Sequence, residues 1–159
     1  MSVRFSELGY FGATIECSDD VIEKLLAHRQ SFGKSEAGGM LFCHDLNSPV
    51  TQISEISFPT ELDIRKRLFF KQNECCSQNI IERNFVRGLH YVGDWHTHSQ
   101  VKPVASNRDI LTIKSIYNKS DHSLRFMVHV IVPNSHNFSD SYVALTDGVV
   151  VRRCVSIVD

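Results

Sequence analysis

The chain alternates short apolar stretches with polar segments that carry cap and turn signals. Val21, Ile22, Leu25 and Leu26 fall on one helical face. Ser18-Asp19-Asp20 ahead of them suits a cap and the positive end of a helix, so the pattern predicts a helix over 19–31. Residues 37–43 read as a buried strand entered through glycines, and 52–58 alternates like a second strand. Residues 59–67 are charged and irregular and predict a loop, with a short strand at 68–70. Cys76, Ile80, Ile81 and Phe85 form an apolar stripe that predicts a helix over 73–86. Residues 89–98, rich in Tyr, Val and Trp, predict a strand. Ser106-Asn107-Arg108-Asp109 is close to a capping box, with Asp in place of Glu or Gln, and opens a helix through about residue 117. Residues 126–132, 141–145 and 149–157 predict three late strands, the last two joined by a hairpin turn at Asp147-Gly148. The sum is an α/β domain, mostly sheet, with about three helices. With no repeat and no linker rich in Gly, Pro or Ser, residues 1–159 read as one domain.

Composition narrows the function classes. Apolar residues make up 42% and charged residues 22%, which suits a folded globular chain and not a disordered one. Lys and Arg number 17 against 18 Asp and Glu, for a net charge of −1. That balance argues against a nucleic-acid binder or a polybasic membrane binder. No run approaches the ~18 apolar residues of a transmembrane helix, and the first residues lack the apolar region of a secretory signal. The 5 cysteines include no CxxC pair and read as reduced thiols of a cytoplasmic protein.

The chemistry lies in Gly93-Asp94-Trp95-His96-Thr97-His98, followed seven residues later by Ser106-Asn107-Arg108-Asp109. Side chains alternate along a strand, so His96 and His98 face the same way while Trp95 and Thr97 face the other. Two neighbouring imidazoles are a natural ligand pair for Zn²⁺, and Asp109 in the next helix's first turn can fold back as a third. Three protein ligands leave one tetrahedral position open, the pattern of a catalytic and not a structural zinc. His-x-His alone is expected by chance about 0.4 times in this composition. With Ser106 and Asp109 in place the expectation falls to about 0.003.

This string, His-x-His-x₇-Ser-x₂-Asp, resembles the signature of the JAMM/MPN+ zinc metalloproteases. The earlier Ser35-Glu36-Ala37-Gly38-Gly39-Met40-Leu41-Phe42 is similar to that family's upstream element, a glutamate opening a glycine-bearing strand. The likeness runs from about residue 10 to the end and departs at Ser99, where the family commonly has Pro; Pro103 follows. The resemblance implies a single-domain MPN fold of the cytidine-deaminase-like kind, with a central, mostly antiparallel, curved sheet and about three flanking helices. It implies Zn²⁺ held by His96, His98 and Asp109, Glu36 as general base, and Ser106 as the hydroxyl that supports the oxyanion. Residue reading alone does not separate Glu36 from Glu55 or Glu61.

The resemblance also implies an activity. Active members hydrolyse the bond after the C-terminus of ubiquitin-like proteins, so the expected partner is a ubiquitin-like protein or its conjugates. The compact chain looks like prokaryotic members encoded beside E1-like and E2-like proteins in antiphage operons, of the CBASS or ubiquitin-like conjugation type. Two alternatives are a catalytically silent MPN scaffold and an enzyme trimming a sulfur-carrier C-terminus. Segments 59–67 and 99–105 are expected to flank the substrate channel. Asp94 reads either as support for an imidazole or as a solvated strand end, and Trp95 as core packing before a substrate platform. The remaining histidines, His129 among them, read as structural or exposed.

Overall fold

A computed structural model describes residues 2–157. It opens with β1 (Val3–Glu7), β2 (Ala13–Cys17), α1 (Asp19–Leu26), β3 (Gly38–Cys43), β4 (Val50–Ile53) and β5 (Glu55–Ile56). There follow β6 (Ile64–Lys66), β7 (Phe69–Lys71), α2 (Glu74–Val86), β8 (His90–Thr97) and α3 (Asn107–Lys119). The chain ends with β9 (Met127–Val132), a 3₁₀ turn at Phe138–Asp140, β10 (Tyr142–Thr146), β11 (Val151–Arg153) and β12 (Val155–Ile157).

A six-stranded sheet runs in the order β11-β10-β9-β8-β3-β5. Its strands pair antiparallel except β8 with β9. A second sheet has the order β12-β1-β2-β4, and β6 pairs with β7 as a separate hairpin. The expected mixed α/β architecture with three helices and mostly antiparallel strands is therefore present. One face of the large sheet, through Leu41, Val92, Trp95, Val128 and Leu145, joins a buried cluster with Phe5, Ile15, Val21 and Leu25. The other face takes Ile80 and Ile81 of α2 against Met40, Phe42 and Leu89. Alternation leaves Asp94, His96 and His129 for this second face, where β8 and β9 lie side by side.

Several boundaries differ from the sequence expectation for physical reasons. Helix α1 stops at Leu26, short of the predicted 31. Gln30 is buried there, and its amide donates to the Lys34 and Arg67 carbonyls instead of facing solvent from a helix. Segment 59–67 is not all loop: β6 lies in it, exposed at every residue and therefore without a hydrophobic beat to read. The predicted strands 52–58 and 149–157 each divide between sheets. Ser54 and Cys154, at the divisions, donate backbone N–H groups to Phe42 and Val143. The hairpin β1–β2 carries no prediction. Its turn is held by the Glu7 carboxylate, which accepts from the N–H groups of Gly9, Tyr10 and Phe11.

The glycines at the start of β3 are required by close approach. A Cβ on Gly38 would lie 2.4 Å from the Phe70 ring, and one on Gly39 would lie 2.2 Å from the Ser57 carbonyl oxygen. Among the described residues no helix is long and apolar enough to cross a membrane.

Candidate active site

The site sits where β3 and β8 run side by side. Gly38 pairs with His96 in register. One residue on, the Ala37 N–H donates to Thr97 Oγ1 at 3.0 Å and the Thr97 N–H donates to the Ala37 carbonyl at 2.9 Å. Thr97 lies between the two histidines and Ala37 follows Glu36, so these bonds fix the glutamate beside the imidazoles. The Glu36 N–H donates to the Lys66 carbonyl at 2.8 Å, and Arg65 Nε donates to the Glu36 carbonyl at 2.8 Å. The β6–β7 hairpin thus grips the backbone of Glu36 from outside.

The third contributor is the start of α3. Ser106 Oγ accepts from the Asp109 N–H at 3.1 Å, and Asp109 Oδ2 accepts from the Ser106 N–H at 2.9 Å. This reciprocal cap satisfies two free donors at the helix start and sets the rotamer of Asp109. The same carboxylate reaches the histidines: Oδ1 is 3.4 Å from His96 Nε2 and Oδ2 is 3.2 Å from His98 Nε2. The two Nε2 atoms are 3.1 Å apart. Glu36 Oε1 lies 3.6 Å from His98 Nε2, on the side facing β3. All five residues singled out by the sequence therefore converge, with Ser106 tied in through its cap to Asp109.

The donor set suits a metal cation. One carboxylate oxygen of Glu36 and one ring nitrogen each of His96 and His98 lie within 4.8 Å of one another. Two imidazoles with carboxylate oxygens match a borderline-soft divalent ion. Tetrahedral ligands at ~2.0–2.2 Å from such an ion are roughly 3.3–3.5 Å apart. The two Nε2 atoms, 3.1 Å apart, and their contacts with the two Asp109 oxygens, 3.4 Å from His96 to Oδ1 and 3.2 Å from His98 to Oδ2, are close to that spacing.

Electrostatics follows from burial and pairing. Burial pushes the Glu36 carboxyl up to about 7, and the nearby His98 holds it back in part. Burial lowers His96, more than its bond to Asp109 raises it. For His98 burial also lowers the value, but Asp109 and Glu36 outweigh it and the net shift is upward. Asp109, despite burial, is held far below the carboxylate range by the two imidazoles.

Sequence reasoning missed two partners of the histidines. Buried His129 on β9 brings Nε2 to 3.1 Å from His96 Nδ1. Gln100 places Oε1 3.3 Å from His98 Nδ1 and accepts from the Val104 N–H at 3.3 Å. The signal for His129 was its place as the one polar residue in Met-Val-His-Val-Ile-Val. Asp94 bonds no imidazole; it accepts from Tyr91 Oη and Gln72 Nε2, while Gln72 in turn reaches the Gly39 carbonyl. Burial raises Asp94 to about 6, with those two donors opposing. Trp95 is core, 1% exposed, and donates to the Ser57 carbonyl.

Known proteins are similar to this chain in sequence and fold. The profile of a family described as "Prokaryotic homologs of the JAB domain" matches residues 18–144. A "CD-NTase/cGAS isopeptidase" of Enterobacter hormaechei subsp. hoffmannii (strain UCI 50) is 27% identical over 135 residues, which cover 83% of this chain and 75% of that protein. The solution structure of a protein from Desulfitobacterium hafniense has the same fold, with a TM-score of 0.61 at 18% identity over 86% of this chain and 87% of that one. With most of its length matched, the chain belongs to the prokaryotic JAB-domain family.

Proposed function

We propose that this single-domain protein is a zinc-dependent isopeptidase that releases a ubiquitin-like modifier, or another protein conjugated through its C-terminus, from its target. The observation that carries the reading is the triangle of His96 Nε2, His98 Nε2 and Asp109 beside the buried Glu36 carboxylate. His96, His98 and Asp109 would hold the ion. Zn²⁺ in such a site supplies Lewis acidity, polarising a carbonyl and lowering the pKa of water.

The chain's own residues supply the rest. Glu36, with its carboxyl near neutrality, can take a proton from the attacking water and hand it to the departing lysine amine. It is the base and not a fourth ligand in this reading, so three residues would hold the ion and Glu36 would stay free to move a proton. Among the described residues Ser106 Oγ accepts from the Asp109 N–H alone, and as an exposed residue it keeps its O–H to donate toward a carbonyl oxygen that gains charge. Asp109, held as a carboxylate by both imidazoles, keeps their Nε2 atoms turned inward.

Substrate would arrive extended. The β6–β7 hairpin is exposed along β6 and is joined to Glu36 at Lys66 and Arg65. A modifier tail that adds a strand beside it would bring its last carbonyl to the triangle through main-chain hydrogen bonds. Gln100, bonded to His98 and Val104, anchors the segment 99–105 on the other side. The isopeptidase relative favours a bacterial conjugation system as the setting, with antiphage defence as the role and a conjugated nucleotidyltransferase as one substrate to try. A silent scaffold would not need the complete donor set. Sulfur-carrier trimming uses linear and not lysine-linked bonds.

The test is metal analysis of the purified protein, followed by incubation with lysine-linked conjugates and linear fusions of candidate modifiers, with and without chelator. Stoichiometric zinc and chelator-sensitive cleavage of the lysine-linked conjugate are expected. Full cleavage in chelator, or no zinc after metal loading, overturns the reading.

A further inference from the structure

The chain has 8 histidines, and six lie outside the His-x-His pair. Five have ordinary surroundings among the described residues. His28 bonds the Lys24 carbonyl and packs against Phe58 and Trp95. His44 and His122 bond the carbonyls of Gly88 and Tyr117. His90 packs on Phe85, and His136 meets Arg29. His129 is different: it is 5% exposed, lies in the interior strand β9, and has an imidazole as its hydrogen-bond partner.

We infer that His129 is a positioning residue, one that accepts the Nδ1 proton of His96 when His96 Nε2 serves as a ligand atom and so keeps that ring aimed toward Asp109 and His98. The inference rests on the reading above, in which His96 Nε2 is a ligand atom.

The geometry leaves little freedom. His129 Nε2 and His96 Nδ1 are 3.1 Å apart with the rings 4.9 Å between centres and inclined by 32°. One hydrogen joins the two nitrogens, so one donates and the other accepts. A ligand atom must present a lone pair, so His96 Nε2 is bare, and its single ring proton sits on Nδ1. His96 therefore donates and His129 accepts, which puts the His129 proton on its own Nδ1. His96 is held at both nitrogens, by His129 behind and by the Asp109 and His98 side in front. The backbone supports this: β8 and β9 are parallel, with Asp94 beside His129 and His96 beside Ile131.

Packing alone does not call for a histidine here. The other five residues of β9 are Met, Val and Ile and all are buried. A ring with two polar nitrogens is costlier to bury among them than a leucine. Tyr142 meets the His129 ring edge-on at 6.0 Å between centres, a distance that needs no imidazole. The neighbour usually found behind a metal-binding histidine is a carboxylate, a carbonyl or water. A neutral imidazole in that place can accept from the Nδ1 of a metal-binding histidine without adding negative charge.

The experiment has an arm that does not read activity. ¹⁵N–¹H correlation of the imidazole rings in the zinc-loaded full chain is expected to show the His96 Nδ1 proton hydrogen-bonded to His129 Nε2 in the parent and without that partner in His129→Leu. Zinc affinity is then measured by competition with a chromophoric chelator. His129→Leu should bind roughly 10–100-fold more weakly than the parent. His129→Gln, whose Oε1 can still accept, should recover most of the loss. Thermal unfolding of the metal-free variants should find His129→Leu at least as stable as the parent. A His96 Nδ1 proton not bonded to His129 in the zinc-loaded parent, unchanged zinc affinity in His129→Leu, or no recovery in His129→Gln each overturns the inference. A parent chain that binds no zinc sinks the metal reading, whereas a parent that binds zinc with unchanged affinity in His129→Leu sinks only the role of His129.

Discussion

Helices α2 and α3 begin alike and do different work. Both have 13 residues, a polar N-cap, and an acid in the first turn. Asn73 caps α2 by accepting from the Cys76 N–H, and Ser106 caps α3 by accepting from the Asp109 N–H. Glu74 lies in an exposed first turn, whereas Asp109 bonds back to Ser106 and also meets two imidazoles. α2 then lays Ile80 and Ile81 on the sheet, while α3 brings a carboxylate to the end of β8. The same local device yields packing in one place and a donor atom in the other. What differs is where the helix start lands relative to the histidine strand.

The sharpest way to break the comparison is to neutralise the two first-turn acids. Asp109→Asn keeps an oxygen for the Ser106 N–H but removes the charge between the imidazoles. It should lower zinc binding and turnover by on the order of 10³-fold or more. Glu74→Gln should leave both unchanged. Equal effects of the two would erase the distinction. Glu36→Ala comes next: turnover should fall roughly 10²–10⁴-fold while zinc content stays at the parent level, because a base and not a ligand is lost. Loss of zinc in that variant, measured by metal analysis, would move Glu36 into the ligand set.

Truncating the caps gives a smaller effect. Ser106→Ala and Asn73→Ala should each cost about 1 kcal/mol of unfolding free energy. Only Ser106→Ala should also slow cleavage, by about 10²-fold if its O–H faces the oxyanion. Denaturant unfolding and steady-state rates on the same samples separate the two roles.

The last effect touches stability alone and concerns the carboxylate that serves neither helix cap. The carboxyl of Asp94, raised to about 6 in the folded chain from 3.8, keeps its proton over a range where the unfolded chain has lost it. Stability of the metal-free protein should therefore fall as pH rises from about 4 to about 6, and then level off. Asp94→Asn still accepts from Tyr91 and Gln72 and should remove that slope, a change on the order of 1–3 kcal/mol at neutral pH.

Much of this was legible in the chain itself, for identifiable reasons. Strands β3, β8 and β9 and the starts of α2 and α3 carry a strong apolar beat or a cap, and they lie within one or two residues of expectation. His96, His98, Ser106 and Asp109 share a short stretch whose spacing is itself the signal. Glu36 lies 60 residues before His96 and is singled out only through the family likeness, since pairing across β3 and β8 is invisible in one sequence. His129 was missed because its partner is reached across a parallel strand pair, with no fixed offset in the chain. β6 was missed because an exposed two-stranded hairpin has no buried face to pattern its residues.

The pair of hydrogen bonds between Ala37 and Thr97 has a consequence for what can vary around the site. Glutamate and histidines ride on one rung of backbone, so their spacing does not depend on the length of the loops that leave either end. Residues of segments 59–67 and 99–105 other than Arg65, Lys66 and Gln100, which themselves bond Glu36 or His98, can then vary without moving that rung. Changes there would reshape the approaches to the site and leave the pairing of glutamate and histidines as it is.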